Sequence, residues 1–289
     1  MKYCYINEDN FQYFKPLLQP EQQKRMMSDP SIFGLGCYDK DTACGIVIYT
    51  INEERMILRI LYVAVSLSYQ KQGVATGMIK SLSRNAYEEG YIILANFFAK
   101  DKDDPRYAMF DNTDEFSIDQ VPGGVYVVNY DKVKDVVYNI PPAEYEKKTH
   151  GTRSQVSKCT SHAKQLIYDL IKTSGVEPSE IKPYIDEDLS YVVIGQDDVP
   201  TAMVIISHYD KQNQYEITFA TSTVPEHIAD LHNILLFTVT DIFDRMEPQD
   251  TLRFSTSVES VDRLAEKYFS KDFKYESFYI AGYNGDSVI

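Results

Sequence analysis

The stretch Val65-Ser-Leu-Ser-Tyr-Gln70-Lys71-Gln72-Gly73-Val74-Ala75-Thr76 carries the clearest chemistry in the chain. A polar loop with one glycine leads from an apolar strand into a helix with apolar periodicity. The first N–H groups of such a helix lack intrahelical acceptors, and with the helix dipole they make an anion site. Gly73 removes a side chain that would keep a phosphate from the backbone, and Ala75 keeps the next face small. Phosphate loops differ by pattern. This one is not G-x-x-x-x-G-K-[ST], which argues against nucleotide hydrolysis. It is not G-x-G-x-x-G either, and the strands before it read as antiparallel, which argues against a dinucleotide fold. The pattern [QR]-x-x-G-x-[GA] remains, filled by Gln70, Gly73 and Ala75.

The elements that must position this loop emerge from periodicity and turn residues. Residues 2–6 (KYCYI) read as a strand, and Asn7–Lys15 and Glu21–Ser28 as helices, the second opened by Pro20 and closed before Asp29-Pro30. Residues 31–39 and 43–51 form an antiparallel hairpin, with a strand over 56–65 after it. After the loop, a helix with Met78, Ile79, Leu82 and Ala86 on one face runs to Glu89 and stops at Gly90. Residues 91–99 are a continuous apolar run, as in a strand covered on both faces, and 121–128 a further strand. Pro141-Pro142 and the polar connector 143–158 place a domain boundary near residue 140, giving domains 1–140 and 141–289. The second half repeats the order of elements: helices over 158–174 and 178–186, strands over 190–195, 201–209 and 215–222, a helix from Pro225 to Met246, a strand over 251–258, a helix over 261–269 and a last strand over 275–283. That order, helix–helix–strand–strand–strand–helix–strand–helix–strand in both halves, predicts a duplicated α+β fold with mixed sheets.

Composition bounds the function. With 14 Phe and 23 Tyr the chain has ample material for two cores. A formal charge of −14 argues against an unspecific nucleic-acid binder, which needs clustered Lys and Arg. No stretch has the roughly 20 apolar residues of a membrane span, and the start MKYCYINEDN lacks a signal-peptide pattern. Cys4, Cys37, Cys44 and Cys159 have no CxxC spacing and read as reduced thiols, so no metal is expected and the cytoplasm is the predicted location.

In this setting the loop resembles the acyl-CoA pyrophosphate loop of the GNAT superfamily of N-acetyltransferases, and the order strand, two helices, three antiparallel strands, loop, helix, strand is similar to that fold. The resemblance implies two GNAT-like domains in tandem, each a mostly antiparallel twisted sheet flanked by helices. It implies acetyl-CoA as co-substrate, with backbone N–H groups from Gln72 to Thr76 on the pyrophosphate and Lys71 as an additional phosphate contact. The backbone of Tyr62, Val63, Ala64 and Val65 would pair with the pantetheine arm as an added strand does. An N–H in the same region would stabilise the tetrahedral oxyanion.

The resemblance is thinner where proton transfer is needed. Family members often carry a glutamate on the strand before the loop, whereas residues 56–65 offer only Arg59 and Tyr62 as polar side chains. Many also place a tyrosine acid in the helix after the next strand. The best-aligned residue is Phe110, so Tyr107, one turn earlier, is the catalytic candidate, with a partly buried structural aromatic as the competing reading. Asp114 and Glu115 are alternative bases or amine-binding carboxylates, against a solvated acidic loop. They belong to a segment, 101–119, with seven acidic residues against Lys102 and Arg106, which suits a cationic acceptor.

In the second half the corresponding loop is Thr223-Val-Pro-Glu-His-Ile-Ala-Asp230, with no glycine and two carboxylates near the helix start that would repel a pyrophosphate. This half reads as a degenerate GNAT-like domain without its own acyl-CoA. His227 and His232 are not at the i, i+4 spacing of a metal pair, so a core or surface role is expected for each. The predicted activity is direct acetyl transfer to a primary amine, on a small molecule or a protein lysine, by a monomer or homodimer. The alternatives are an acyl-CoA-binding pseudoenzyme and a structural protein without CoA.

Overall fold

The computed structural model describes residues 1–113, 115–141, 149–173, 181–209, 212–223, 225–256 and 259–285. The chain divides into two compact units, Met1–Pro122 with Glu276–Ile289, and Gly123–Tyr275. The sequence places its boundary near residue 140; in the structure the strand that begins at Phe116 pairs from Gly124 onward with Thr251–Thr256 of the second unit, and Ser277–Gly282 pair within the first.

In the first unit, β1 (Lys2–Tyr5), β2 (Ile32–Asp39), β3 (Thr42–Asn52) and β4 (Ile57–Val65) run antiparallel in that order. β5 (Ile92–Ala99) joins β4 in parallel, and β12 (Lys274–Tyr283) joins β5 antiparallel. β12 also borders the start of β6 (Phe116–Asn129), where the Gln120 side-chain amide donates to the Ser277 hydroxyl at 3.2 Å. The helices α1 (Phe11–Phe14) and α2 (Pro20–Ser28) cover one face, with Phe14 and Leu18 packed on Ile46 and Ile48 of β3. The other face is covered by α3 (Val74–Glu88), whose Val74, Met78, Ile79, Leu82 and Ala86 meet Val47 and Tyr49 of the same strand. Alternation along β3 thus feeds two cores. α3 ends in a Schellman motif: Gly90, at φ +88°, donates to the Tyr87 carbonyl at 2.9 Å and Tyr91 to the Ala86 carbonyl at 3.0 Å.

In the second unit, the later residues of β6 pair antiparallel with β11 (Thr251–Thr256), and β11 pairs in parallel with β10 (Gln214–Ser222). β9 (Pro200–Tyr209), β8 (Tyr191–Ile194) and β7 (Thr152–Gln155) extend that sheet antiparallel. α5 (Tyr130–Asn139), α7 (Ile228–Phe243) and α8 (Glu259–Phe269) cover one face, and α6 (Ser161–Thr173) the other. Both units are mostly antiparallel sheets flanked by helices, as the sequence predicts. The sequence reading misses α5, whose Val133 and Val136 are buried at helical spacing behind the Asn129 cap. It takes β7 for part of the connector, and β6 begins five residues before the expected start, at Phe116 inside the acidic segment. Of the helix expected over 178–186, residues 178–180 lie outside the described residues and 182–184 form a 3-10 turn. No helix among the described residues is long and apolar enough to cross a membrane.

The helix α4 (Pro105–Asp111) is tied to β12 through charge. Asp104 caps it, accepting from the Arg106 N–H at 2.9 Å, and also takes the Arg106 guanidinium at 2.7 Å, which reaches Glu276 at 2.7 Å. The Arg106 hydrogen bond holds the buried Asp104 carboxyl at about 2, below the roughly 3.9 of an unfolded chain. A carboxyl depressed on folding stabilises the fold above the unfolded value and loses that contribution as pH falls through the folded one. Asp104→Asn keeps a capping acceptor and removes the charge. It is expected to lower unfolding free energy by about 1–2 kcal/mol at pH 7. Urea titrations should show the gap to wild type closing between pH 4 and pH 2.

Candidate functional site

Parallel pairing of β4 with β5 covers only Ile57–Ile60 against Ile92–Ala95. The register of β4 on β3 then shifts, Ile60 facing Tyr49 and Tyr62 facing Ile48, so Leu61 is a bulged extra residue. From there β4 stays with β3 as far as Val65 opposite Gly45, while β5 pairs with β4 no further and continues with β12 on its other edge. The side of Tyr62–Val65 that faced β5 is left as an open strand edge. Tyr62 and Ala64 point to the α1/α2 face, and Val63 and Val65 to the α3 face.

The loop continues from this edge. The Ser66 N–H bonds the Cys44 carbonyl at 2.9 Å, a 3-10 turn covers Leu67–Tyr69, and two residues, Lys71 (φ +60°) and Gly73 (φ +77°), take the left-handed conformation. The two glutamines brace the loop rather than extend from it. The Gln70 amide donates to the Val65 carbonyl at 3.2 Å and the Gln72 amide to the Ser68 carbonyl at 2.8 Å. Gly73 is the N-cap of α3 and supplies no side-chain acceptor. The first intrahelical bond is Gly77 N–H to the Gly73 carbonyl at 2.8 Å, so the N–H groups of Val74, Ala75 and Thr76 have no helical partner. A Cβ built on Gly73 meets open space, so the residue is required by its φ and by the clearance it leaves. Lys71 is exposed beside these donors.

Positioning comes from residues that sequence reasoning did not single out. A Cβ on Gly45 would stand 2.7 Å from the Met78 methyl and 3.0 Å from a Val74 methyl, so the start of α3 packs closely over this glycine and a side chain there would displace Met78. Gly77 leaves room in the same way for the Tyr3 hydroxyl. The Tyr69 hydroxyl donates to Asp39 at 3.3 Å, and burial, then that carboxylate, raises its pKa.

Tyr107 is 6% exposed, in an edge-to-face contact with Tyr279 at 5.2 Å and near Phe97. Phe110 stacks on Phe97 at 5.2 Å. Glu115 is paired with Arg84 at 3.5 Å, and its Oε2 is buried without a hydrogen-bond partner among the described residues. Asp114 lies outside the described residues. Asp101 accepts the Asp103 and Asp104 N–H groups at 2.9 and 3.1 Å, so Asp101, Asp104 and Glu115 are engaged within the protein. The four cysteines are free thiols; burial first, then Cys44, pushes the Cys37 thiol up to about 12, which excludes a resting thiolate there. Beside the bulge, on the α2 side, lies a cavity of about 70 Å³ lined by Gln22, Arg25, Ile32, Ile48, Leu61 and Tyr62. The Gln22 Oε1 is buried and has no hydrogen-bond partner among the described residues.

The second unit has the same strand geometry without the loop. β10 and β11 pair over Gln214–Ile217 and Thr251–Phe254, and a bulge at Thr218 then parts the two strands. The gap is an apolar cavity of about 240 Å³, with Phe219, Leu235, Phe254 and Tyr268 in its wall. At the start of α7 stand Glu226 and the buried Asp230 in place of free donors, and Val224 of the expected loop lies outside the described residues.

Comparison with known proteins agrees with this geometry. Residues 3–111 match the acetyltransferase (GNAT) family. The fold is similar to that of a tandem GNAT protein from the clavulanic acid biosynthesis pathway, with a TM-score of 0.60 at 10% identity over 99% of this chain and 100% of that one. It is also similar to a GCN5-related N-acetyltransferase from Anabaena variabilis ATCC 29413, with a TM-score of 0.55 at 12% identity over 97% of this chain and 72% of that one. A probable N-acyltransferase from Enterococcus faecalis V583 gives a TM-score of 0.53 at 11% identity, again over 97% and 72%. No curated protein matches the chain in sequence. The family match thus spans β1 to α4 of the first unit, and the chain as a whole has a fold similar to that of a tandem GNAT protein.

Proposed function

We propose that the first unit binds acetyl-CoA at residues 62–65 and 70–76 and passes the acetyl group directly to a small primary amine. The observation that carries this reading is the pairing of an open strand edge, Tyr62–Ala64, with the unclaimed N–H groups of Val74, Ala75 and Thr76 one loop further on. A pantetheine amide chain would complete the ladder at the edge, and the pyrophosphate would take the helix donors, with Lys71 adding charge. The amine nitrogen attacks the thioester carbonyl carbon, a backbone N–H of the cleft stabilises the oxyanion, the C–S bond breaks, the nitrogen gives its proton to water and the departing sulfur takes one up, leaving the amide and CoA thiol. Transfer without an acyl-enzyme intermediate is in keeping with the raised pKa values of Cys4, Cys37 and Cys159.

The cavity beside Leu61 is where we place the acceptor: the unpartnered Gln22 Oε1 would accept an amine N–H. Arg25 lines the same cavity, and acids of the 101–119 segment are spent on capping and ion pairs. Both points weigh against a polycation and favour an amine that also carries a carboxylate. Tyr107 remains our candidate acid for the thiolate. A second reading, acyl-CoA binding without transfer, draws on the absence of any acidic side chain along β4 and on the aromatic packing around Tyr107.

Calorimetric titration with acetyl-CoA tests the binding step. Native protein is expected to bind, and Gly73→Glu to weaken binding at least about tenfold, a difference of roughly 1.4 kcal/mol. Gly73→Ala controls for the cost of a side chain at positive φ. Equal binding by native protein and Gly73→Glu would refute the loop assignment. Thiol release across a panel of amines, with amino acids included, then tests transfer; silence with intact binding selects the second reading. Tyr107→Phe is expected to lower kcat about 100-fold, the lower end of general acid catalysis, with acetyl-CoA affinity unchanged. An unchanged kcat would move that role to another group.

A further inference from the structure

We propose that His150, His227 and Asp230 form a binding site for a zinc-type divalent metal ion at the start of α7. The three residues offer one ligand atom each, and these atoms lie within 4.8 Å of one another. The His150 Nδ1 is 3.2 Å from either Asp230 oxygen, and the His227 Nδ1 is 3.8 Å from the nearer one. The two imidazoles are stacked at 4.5 Å with their planes 7° apart, both turned to the same carboxylate.

Hydrogen bonding leaves this arrangement incompletely explained. Asp230 is 2% exposed, and the backbone N–H of His150 reaches it only at 3.3 Å. The helix dipole at the start of α7 accounts for a carboxylate there, but not for two imidazoles facing it. At 3.8 Å the His227 nitrogen is too far for a hydrogen bond, and it is buried with no partner among the described residues. A tetrahedral ion with bonds of about 2.0–2.2 Å holds its ligand atoms roughly 3.4 Å apart. The observed spacings meet that requirement with movements on the order of an ångström. Two imidazole nitrogens and one carboxylate oxygen suit zinc better than calcium or magnesium, which take oxygen ligands. Half-exposed His150, with 58% of its side chain accessible, gives the ion an entry, and water would fill the fourth position. The place in the fold adds a second argument. After the bulged strand of the first unit the next helix opens on bare donors; after the bulged strand of the second it opens on acceptors, so the same corner is built for the opposite charge.

The test uses tag-free full-length protein, stripped with chelator and titrated with Zn²⁺ by calorimetry and with Co²⁺ by visible absorption. One ion per chain and a four-coordinate Co²⁺ spectrum are expected. His150→Ala, at an accessible position, should weaken Zn²⁺ binding by about 100-fold, at the top of the range known for loss of even a supporting partner. His227→Ala should do the same, with circular dichroism checking that both variants stay folded. No binding by the native chain, or binding unchanged in both variants, would overturn the proposal. The outcome is independent of acetyl-CoA binding, which uses the first unit.

Discussion

The site depends on one constraint: backbone ladder groups on β4 lose their β5 partners after Ile60, while those facing β3 keep theirs. Leu61 makes that divergence local, because one extra residue bends the strand and increases its twist without breaking the hairpin. The exposed edge would be an aggregation hazard unless something covers it. In this chain the loop 66–73 folds back over its end, with Gln70 on the Val65 carbonyl, leaving Tyr62–Ala64 as the free portion. The tight seat of α3 on Gly45 then aims the helix start beside that edge. Edge and donors are parts of one geometry, set by a bulge and two glycines.

The second unit shows what the same framework does with other side chains. Its bulge at Thr218 opens β10 from β11 in the same manner, yet the opened space is lined by Phe219, Leu235 and Phe254. The units differ in the side chains that line the opened space and in the residues at the start of the helix that follows. Where Gly73 stands bare in one, Glu226, His227 and Asp230 crowd the other.

Much of the fold was legible because it rests on local signals. The apolar face of α3, the Gly90 stop and the alternation of β2 and β3 are each visible within a few residues. The loop was legible for the same reason, since backbone donors need only a helix start and a glycine. The acidic segment hid the beginning of β6, because Phe116 and Ile118 alternate with polar residues that composition reads as loop. Asp104 lies in the segment read as suiting a cationic acceptor, and its role as a cap shows only in the fold, where Arg106 closes on it and reaches Glu276, 170 positions further along the chain on β12. The His150–His227–Asp230 cluster was invisible to spacing rules, since its ligands come from residues 80 positions apart. Tyr107 and the Gln22 cavity are decided by packing across elements, which no window of sequence contains.

β12 gives the first unit a discontinuous chain. Its residues Ser277–Gly282 complete the ladder of β5, and Tyr279, Ala281 and Tyr283 enter the first unit's cores. A chain made from its N-terminus would therefore hold β5 without its outer neighbour until nearly the whole second unit had emerged. At 5–20 residues per second that interval is roughly 10–40 s. The second unit, continuous from Gly123 to Tyr275, can collapse first and deliver the missing strand. The unit that carries the anion loop is then complete only once Ser277–Gly282 have followed the second unit.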